Sequence, residues 1–444
     1  MTVSPFDSEI YGPLFSDREV AALFSDAETV RAMVDVERAL ARAQARVGVI
    51  PEMAASTIDQ KLVAFEPDLA AIGAGTASAG MPIVALVDQL RELVGGDAAD
   101  FVHWGATSQD ILDIALVLRL RAVLEIFAGR LDRLIDRLAE LADAHRGTVM
   151  VARTRSRPAL PTAFGLTLAG WLLPLVRHRD RLNELRPRLL VVQFGGAAGT
   201  LAALGDKGIE VMRALADELG LGAPPTAWHT QRDSIAEFAG WLSLVTGSLG
   251  KMAQDLVLLG QAEIGEVRSE SGGGSSTMPQ KANPVRAETV IALARANAGF
   301  LATMHQASIQ EHERGGVGWA MEWLTLPQMT VATGAALGHA QALAENLTVD
   351  ATRMTDNLSS DNGLVMAEAI TFALANHMSR AEAVALVKAA CEIARAESRP
   401  LIEVVRGHTD LPLDWAALGN PENYLGSTDR LIDQALAAAR GAAK

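Results

Sequence analysis

Apolar residues recur along the middle of the chain at alternating intervals of four and three positions. The pattern predicts a helix from Asp110 to Ala144, about 50 Å long at a rise of about 1.5 Å per residue. Such heptad seams are typical of long helices that pack nearly antiparallel in a bundle. Because this length exceeds the diameter of an ordinary small domain, we expect the seams also to contact other subunits. The two seams are Leu120, Leu124, Phe127, Leu131, Leu134, Leu138 and Leu141, and Leu242, Val245, Leu249, Met252, Leu256 and Leu259.

Helical patterns also cover most of the remaining chain. Strand alternation is weak, and the best extended candidate is Val149–Leu160. We therefore predict an all-α fold. The length of 444 residues suggests three domains at about 150 residues each, which we expect at residues 1–105 (helical), 106–347 (helix bundle) and 348–444 (helical). Further helices are predicted at Ala27–Val47, Ala163–Leu185, Asn283–Ile309, Leu324–Glu345 and Ser379–Glu397.

Composition and charge exclude several classes of protein. A net charge of −14 argues against nucleic acid as a partner, because nucleic-acid binding needs a basic surface. Two charge-free stretches, Leu69–Val87 and Trp323–Ala344, are interrupted by polar residues and proline, so we expect no membrane span. Cys391 is the only cysteine and no secretory signal is evident, which favours a cytoplasmic protein without disulfides.

The most distinctive segment of the chain is Ser271–Pro284. Its three glycines and two prolines predict an irregular loop rather than a helix or strand. A plain Gly/Ser linker has a similar composition, but Met278, Lys281 and Asn283 interrupt this one and predicted helices flank it. The segment from Gly274 to Pro284 resembles the signature loop of the fumarase/aspartase superfamily, Gly-Ser-Ser-x-Met-Pro-x-Lys-x-Asn-Pro, at every fixed position.

The resemblance implies roles for individual residues of this loop. Ser275 is the expected proton-transferring residue, and Lys281 and Asn283 are expected to stabilise the charge that develops on the substrate. Ser276 and Met278 are candidate substrate contacts. Because its glycines give the loop low stiffness, we also expect it to be open without ligand and to close over bound substrate.

A second candidate segment, Phe101–Asp110, opens the first long helix. Ser108 and Asp110 are plausible helix caps. Alternatively, Thr107 and Ser108 present hydroxyl and backbone N–H groups at the helix N-terminus, which is a ready carboxylate site. The stretch matches the superfamily pattern His-x-Gly-x-Thr-Ser-x-Asp, which binds substrate there, and makes His103 a candidate catalytic residue.

Three arginines alternate within Ala152–Thr162. If the segment is extended, Arg153, Arg155 and Arg157 share one face, and in so acidic a chain they indicate an anion site rather than a solvated basic turn. Where the superfamily has Arg-Thr-His-x-Gln, this chain has Arg155 in place of the histidine and Arg157 in place of the glutamine. Arginine is a poor proton donor. We therefore expect these residues to bind substrate carboxylates, and the departure argues against fumarase-type elimination.

Three further segments carry candidate chemistry. The Gly-rich run Val192–Gly205 could hold a phosphate, but it lacks the context and the Lys-Ser/Thr pair of a P-loop. The run Trp228–Asp233 supplies Arg232 as a candidate substrate ligand. The run Glu311–Glu313 offers acidic and histidine side chains without a second histidine at ligand spacing, so we expect no metal.

Together with Tyr424–Gly426, these segments resemble one branch of the superfamily, the 3-carboxy-cis,cis-muconate cycloisomerases, over nearly the whole chain. The resemblance implies an all-α fold with three helical domains and a central five-helix bundle. It implies a homotetramer whose active sites each draw on three chains, a small tricarboxylate substrate, and neither cofactor nor metal.

Two alternatives stay open from the residues. An adenylosuccinate lyase-like β-elimination enzyme would need groups for a nucleotide phosphate, and Gly315–Trp323 offers few. A non-catalytic helical structural relative is a rival from another class. The intact Ser275, Lys281 and Asn283 argue against it.

Overall fold

The computed structural model of the protein describes residues 3–269, 273–274, 278 and 281–441. Over these residues α-helices dominate, as the Ala- and Leu-rich sequence predicts. The helices are α1 Gly12–Phe15, α2 Arg18–Ala22, α3 Asp26–Arg46, α4 Glu52–Leu62, α5 Leu69–Ala79, α6 Ile83–Val94, α7 Ser108–Ala144, α8 Phe164–Leu189, α9 Gly208–Leu219, α10 Asp233–Leu259, α11 Val285–Ala307, α12 Val317–Glu345, α13 Ala351–Ser359, α14 Ala367–Ala375, α15 Arg380–Glu397, α16 Leu401–Arg406, α17 Trp415–Gly419 and α18 Thr428–Ala439. Short 3₁₀ helices cover Pro5–Asp7, Gly96–Phe101, Gly196–Ala198, Ala202–Lys207, Leu364–Met366 and Pro421–Tyr424.

The predicted helices are confirmed, with small shifts at their ends. Two ends follow from local capping. Ser25 caps α3 by accepting from the N–H of Glu28, and Ser379 forms a reciprocal capping box with Glu382 at the start of α15. The largest difference is α12, which begins at Val317, seven residues before the predicted start at Leu324.

Both heptad seams are buried within the single chain. No side chain of the first seam is more than 6% exposed, and none of the second is more than 7% exposed. The expectation that these seams contact other subunits is therefore wrong, because packing inside one chain already covers them.

Across the part of the chain that the structure describes, the strands are short and form three antiparallel pairs. They are β1 Val149–Thr154 with β2 Arg157–Ala163, β3 Val267–Ser269 with β6 Leu347–Val349, and β4 Gly273–Gly274 with β5 Ala282–Asn283. The predicted extended stretch at residues 149–160 is thus a hairpin, not one strand. The pair β4–β5 also corrects the expectation that residues 271–284 contain no strand, since two residues on each side suffice for a ladder.

The chain divides into two compact units, each assembled from three stretches. Unit 1 comprises residues 1–130, 178–247 and 292–338, and unit 2 comprises residues 131–177, 248–291 and 339–444. All the internal boundaries fall inside the five longest helices, α7, α8, α10, α11 and α12. The three-domain division at residues 105 and 347 remains a prediction.

Each unit has its own buried apolar cluster. In unit 1 the cluster includes Val36, Leu40, Leu86, Ile111 and Leu215. In unit 2 it includes Ile370, Leu374, Ala383, Leu401 and Val405. Within the described part of the chain, no helix is both long and apolar enough to cross a membrane.

Candidate active site

In unit 1, His103 forms an ion pair with a buried carboxylate that the sequence did not reveal. Its Nδ1 lies 2.6 Å from Oε1 of Glu37, which is 2% exposed on α3. Burial disfavours the charged imidazole, but the charge and hydrogen bond of Glu37 outweigh it and raise the pKa of His103 above its ordinary value. His103 also has a left-handed backbone with φ 64°, which indicates a position held by its surroundings.

The start of α7 is held by Asp110, whose carboxylate accepts four hydrogen bonds. They come from the backbone N–H groups of Thr107, Gly195 and Gly196 at 3.0, 3.0 and 2.9 Å, and from Nε2 of His229 at 2.8 Å. Asp110 is fully buried, and these donors satisfy both of its carboxylate oxygens. Its carboxylate therefore binds the Gly-rich run to the turn before α7 instead of serving as a simple cap.

This arrangement also explains the Gly-rich run. The amides of Gly195 and Gly196 donate to a carboxylate of the protein, so they are not the phosphate cradle of a P-loop. A Cβ at Gly195 would lie 2.6 Å from Cβ of Ala227 and 2.9 Å from His229, so only glycine allows this close approach.

Thr107 and Ser108 lie half-buried at the N-terminus of α7, as predicted. The hydroxyl of Thr107 accepts a hydrogen bond from Nη1 of Arg314. Arg314 is exposed in the segment between α11 and α12 and was not among the predicted site residues. Its motif, Gln310–Arg314, was the only sequence signal that could have found it. An exposed guanidinium beside a helix N-terminus strengthens a carboxylate site there.

Arg232 is buried and paired with carboxylates, unlike an arginine that is exposed to bind substrate. It is 2% exposed, and it forms bidentate ion pairs with Asp113 of α7 and Glu322 of α12 at 2.5–3.1 Å. Its guanidinium also lies 4.8 Å from the ring centroid of Trp228. Burial opposes its charge, but the two carboxylates outweigh burial and raise its pKa. The network joins three segments of unit 1, and substrate binding by Arg232 stays a prediction.

In unit 2, the three predicted arginines lie on one hairpin but not on one face. The chain turns at Arg155 and Ser156, which both have left-handed backbones with φ 50° and 63°. This is the pattern of a two-residue type I′ hairpin turn. Thr154 pairs with Arg157 and Arg153 pairs with Pro158, so Arg153 and Arg157 point to opposite faces. The expectation of a shared face is wrong because the turn interrupts the strand.

The three arginines also differ in their contacts. Arg155 and Arg157 are exposed. Arg153 instead forms a bidentate ion pair with Glu266, its Nη1 and Nη2 lying 2.9 and 2.7 Å from the carboxylate oxygens. Glu266 has no exposed surface, and it also accepts a hydrogen bond from Nδ2 of Asn357 at 2.9 Å.

Glu266 immediately precedes β3, the strand that leads into the signature segment. Its backbone N–H donates to Leu259 and its carbonyl accepts from Asp350. Arg353 of α13 binds the carbonyls of Glu263 and Ile264. The ion pair with Arg153 therefore ties the arginine hairpin to the anchored base of the signature segment.

Part of the signature segment itself is described. Lys281 and Met278 are exposed, and Asn283 is half-buried at the rim of a cavity of about 240 Å³ in unit 2. Ser275 and Ser276 lie outside the described residues. The predicted opening and closing of the loop also concerns residues that are mostly outside them.

No metal centre is formed by the described residues. Nowhere among them do three His, Cys, Asp or Glu side chains converge on a position that could hold an ion. The side chains of residues 311–313 are exposed.

Comparisons with known proteins agree with this fold. A lyase family model matches residues 14–299, and a model of the adenylosuccinate lyase C-terminus matches residues 363–435. The chain is 44% identical to the 3-carboxy-cis,cis-muconate cycloisomerase of Pseudomonas aeruginosa, with 97% of this chain and 96% of that protein aligned. It is 40% identical to the enzyme of the same name from Acinetobacter baylyi, over 98% of this chain and all of that protein.

A solved structure gives the same result. The chain matches the crystal structure of the 3-carboxy-cis,cis-muconate lactonizing enzyme from Pseudomonas putida with a TM-score of 0.92, at 40% identity, covering 98% of this chain and 100% of that one. The fold and these similarities thus define an all-α enzyme of the lyase class. The chain belongs to the lyase family of the fumarase/aspartase superfamily.

Proposed function

We propose that the protein is an intramolecular lyase that converts 3-carboxy-cis,cis-muconate to 4-carboxymuconolactone, a step of protocatechuate catabolism. The observation that carries the proposal is the pair of exposed arginines, Arg155 and Arg157, at the tip of the β1–β2 hairpin. Related eliminating lyases have a histidine and a glutamine at these positions. The near full-length similarity to cycloisomerases supports the same conclusion.

The chemistry needs carboxylate binding more than a second acid. One carboxylate of the substrate adds to a double bond of the same molecule, so a C–O bond forms as the C=C π bond breaks. The electron pair moves onto the carbon beside another carboxylate and gives an aci-carboxylate, and that carbon then takes one proton. Because no separate molecule leaves, no residue must protonate a leaving group, and the loss of the superfamily histidine is tolerable.

In this proposal, Ser275 delivers the proton to carbon, and Lys281 and Asn283 stabilise the aci-carboxylate by charge and hydrogen bonds. His103, held cationic by Glu37 over a wider pH range than a free histidine, is the second candidate donor. Ser276 and Met278 contact the substrate beside them.

The remaining residues bind the carboxylates. The N-terminus of α7 with Thr107 and Ser108 holds one of them, with Arg314 beside it. Arg155 and Arg157 hold another through bidentate hydrogen bonds. We assign Arg153 an indirect role, because Glu266 occupies its guanidinium.

We further propose that the enzyme is a cytoplasmic homotetramer whose active sites are shared between subunits. The single cysteine fits a reducing compartment. Apolar side chains exposed on the long helices support assembly, including Leu244 at 52%, Leu258 at 43% and Leu324 at 71% exposure.

An ultraviolet assay tests the function, because lactonisation removes a conjugated double bond. We expect loss of muconate absorbance with the wild-type enzyme and no change with adenylosuccinate. The Ser275→Ala variant should turn over roughly 10²–10⁴ times more slowly. Cleavage of adenylosuccinate would instead assign the protein to that β-elimination, and inactivity on both substrates would favour a non-catalytic relative.

A further inference from the structure

Unit 1 contains a cavity on the side of α7 that faces α3. Its volume is about 270 Å³, and Leu112, Leu116 and Arg119 of α7 border it, spaced four and three residues apart on one helix face. Arg119 follows Ser108 by 11 residues, which places it about 16 Å along the helix from the candidate active site. The rest of the wall is largely apolar and includes Phe24, Pro82, Trp323, Leu326 and Pro327.

The only cation at this cavity without a carboxylate partner, among the described residues, is the guanidinium of Arg119. Its Nε donates to the carbonyl of Ala115 at 3.1 Å, its Nη1 donates to the hydroxyl of Thr29 at 2.8 Å, and it lies 5.5 Å from the ring centroid of Phe24. Arginine has five N–H groups, so donors remain for a further acceptor.

The acids around Arg119 have other partners. Asp113 and Glu322 also border the cavity, but both bind Arg232. Glu28, the acid whose charge acts on Arg119, pairs with Arg31.

Comparison with Arg232 shows that Arg119 lacks a carboxylate counter-charge among the side chains that the structure describes. Arg232 is buried between two carboxylates and its pKa is raised, whereas burial lowers the pKa of Arg119 to about 10, against a small opposing effect of Glu28. Arg119 is half-buried, and a charge partly removed from water without a counter-charge bears part of the desolvation cost. An anion in the cavity would offset that cost and find unused N–H donors.

We propose that this cavity is a binding site for a small monocarboxylate with an apolar body. The carboxylate pairs with Arg119, and the body packs against Leu112, Leu116 and Leu326, of which the first and last are buried. A neutral polar ligand accepts only the weaker, uncharged hydrogen bond from the guanidinium, and a dicarboxylate leaves its second charge against an apolar wall. This site is additional to the one proposed for the reaction.

Direct binding of 4-fluorobenzoate, followed by ¹⁹F NMR, tests the proposal without relying on turnover. We expect the wild-type enzyme to bind the probe and Arg119→Gln to weaken binding roughly 10- to 150-fold, the range for a charged hydrogen bond. Arg213→Gln, which removes an exposed arginine of α9 in the same unit, is the matched control and should bind like wild type. The neutral amide 4-fluorobenzamide should bind weakly to all three.

Two further arms separate this cavity from the active site and from folding defects. Arg155→Met should keep the probe bound, because it alters only the hairpin. Arg119→Lys keeps the charge and should retain part of the affinity if the fold is intact, while Arg119→Gln should lactonise muconate at the wild-type rate.

The proposal is overturned if Arg119→Gln binds the probe as tightly as wild type, if the amide binds equally well, or if Arg155→Met abolishes binding. It is also overturned if the wild-type enzyme does not bind the probe, or if Arg119→Gln dissociates the assembly. Such dissociation would assign the guanidinium to a carboxylate of a second copy of the chain.

Discussion

Glu37 gives His103 a charge state that the motif around His103 does not encode. The two residues are 66 positions apart, and their ring nitrogen and carboxylate oxygen are 2.6 Å apart. The raised pKa of His103 means that the folded protein binds this proton more tightly than the unfolded chain. The ion pair therefore stabilises the fold fully below about pH 6.5, the ordinary histidine value, and loses this effect as pH rises through the raised pKa.

Glu37→Gln should remove this pH dependence. We expect the difference in free energy of unfolding between wild type and variant to be largest below about pH 6.5 and to shrink at higher pH. The pKa of His103 should fall in the variant, because burial then acts without the carboxylate. Urea unfolding over a pH series and an NMR titration of His103 measure both. A difference that stays constant with pH would show that the pair is not an ion pair.

Arg153 and Glu266 make a second prediction about single residues. If Arg153 only positions the hairpin, Arg153→Met and Glu266→Gln should lower turnover to a similar extent, and the double variant should be little worse than either. Loss of one partner should also cost roughly 1–3 kcal/mol of unfolding free energy. The exposed Glu263→Gln is the control. A rise in KM for Arg153→Met but not for Glu266→Gln would instead show that Arg153 binds the substrate directly.

The carboxylate partners of His103 and Arg153 could not be predicted from the sequence. The motifs identified the residues at the start of α7 and on the hairpin, because each motif is continuous in the chain. Glu37 and Glu266 lie 66 and 113 positions from the residues they pair with. Neither is in a recognisable motif, and only the folded chain brings them close.

At the scale of elements, the long helices were predictable and the hairpin was not. Heptad spacing repeats over many turns, so it located α7 and α10 well. The turn at Arg155 and Ser156 lacks the Asn-Gly or Asp-Gly signal of type I′ turns, and the alternating arginines concealed it. Arg155 and Ser156 are both non-glycine residues in the left-handed region, so the turn is strained beside the groups proposed to bind substrate.

Ser156→Gly should relieve strain without removing a guanidinium. A left-handed residue other than glycine costs about 1–2 kcal/mol, so the melting temperature should rise while muconate turnover stays near wild type. Arg155→Gly should give a similar rise but weaken substrate binding roughly 10- to 150-fold. Thermal melts with paired kinetics provide the comparison. An unchanged KM in Arg155→Gly would show that Arg155 does not bind the substrate.

At the scale of the whole molecule, the proposed assembly must rest on surfaces other than the seams. The seams are buried in one chain, whereas Leu244 and Leu324 are 52% and 71% exposed on α10 and α12. We expect sedimentation to show a tetramer for wild type and smaller species for Leu324→Glu and for Leu244→Glu. Leu431→Glu, at a leucine of α18 that is 47% exposed, is the control. A stable wild-type monomer at micromolar concentration would contradict the homotetramer.

Shared active sites have their own test. Ser275→Ala and His103→Ala subunits should each be inactive or slow alone. If sites draw on different chains, co-expression of the two should restore activity, because some sites then contain both intact residues. Equal inactivity of the mixed tetramers would mean that each site lies within one subunit.

The alternation of the two units along the chain has a consequence for its synthesis. Trp319 of α12 belongs to the same buried cluster as Val30 of α3, and unit 1 is complete only at residue 338. At roughly 5–20 residues per second, the ribosome needs about 17–68 s to reach that point. Single helices form within about a microsecond. The other buried members of this cluster lie between Val30 and Ala216 and are made much earlier. The apolar surface that Trp319 covers therefore stays exposed on the nascent chain until α12 has been synthesised.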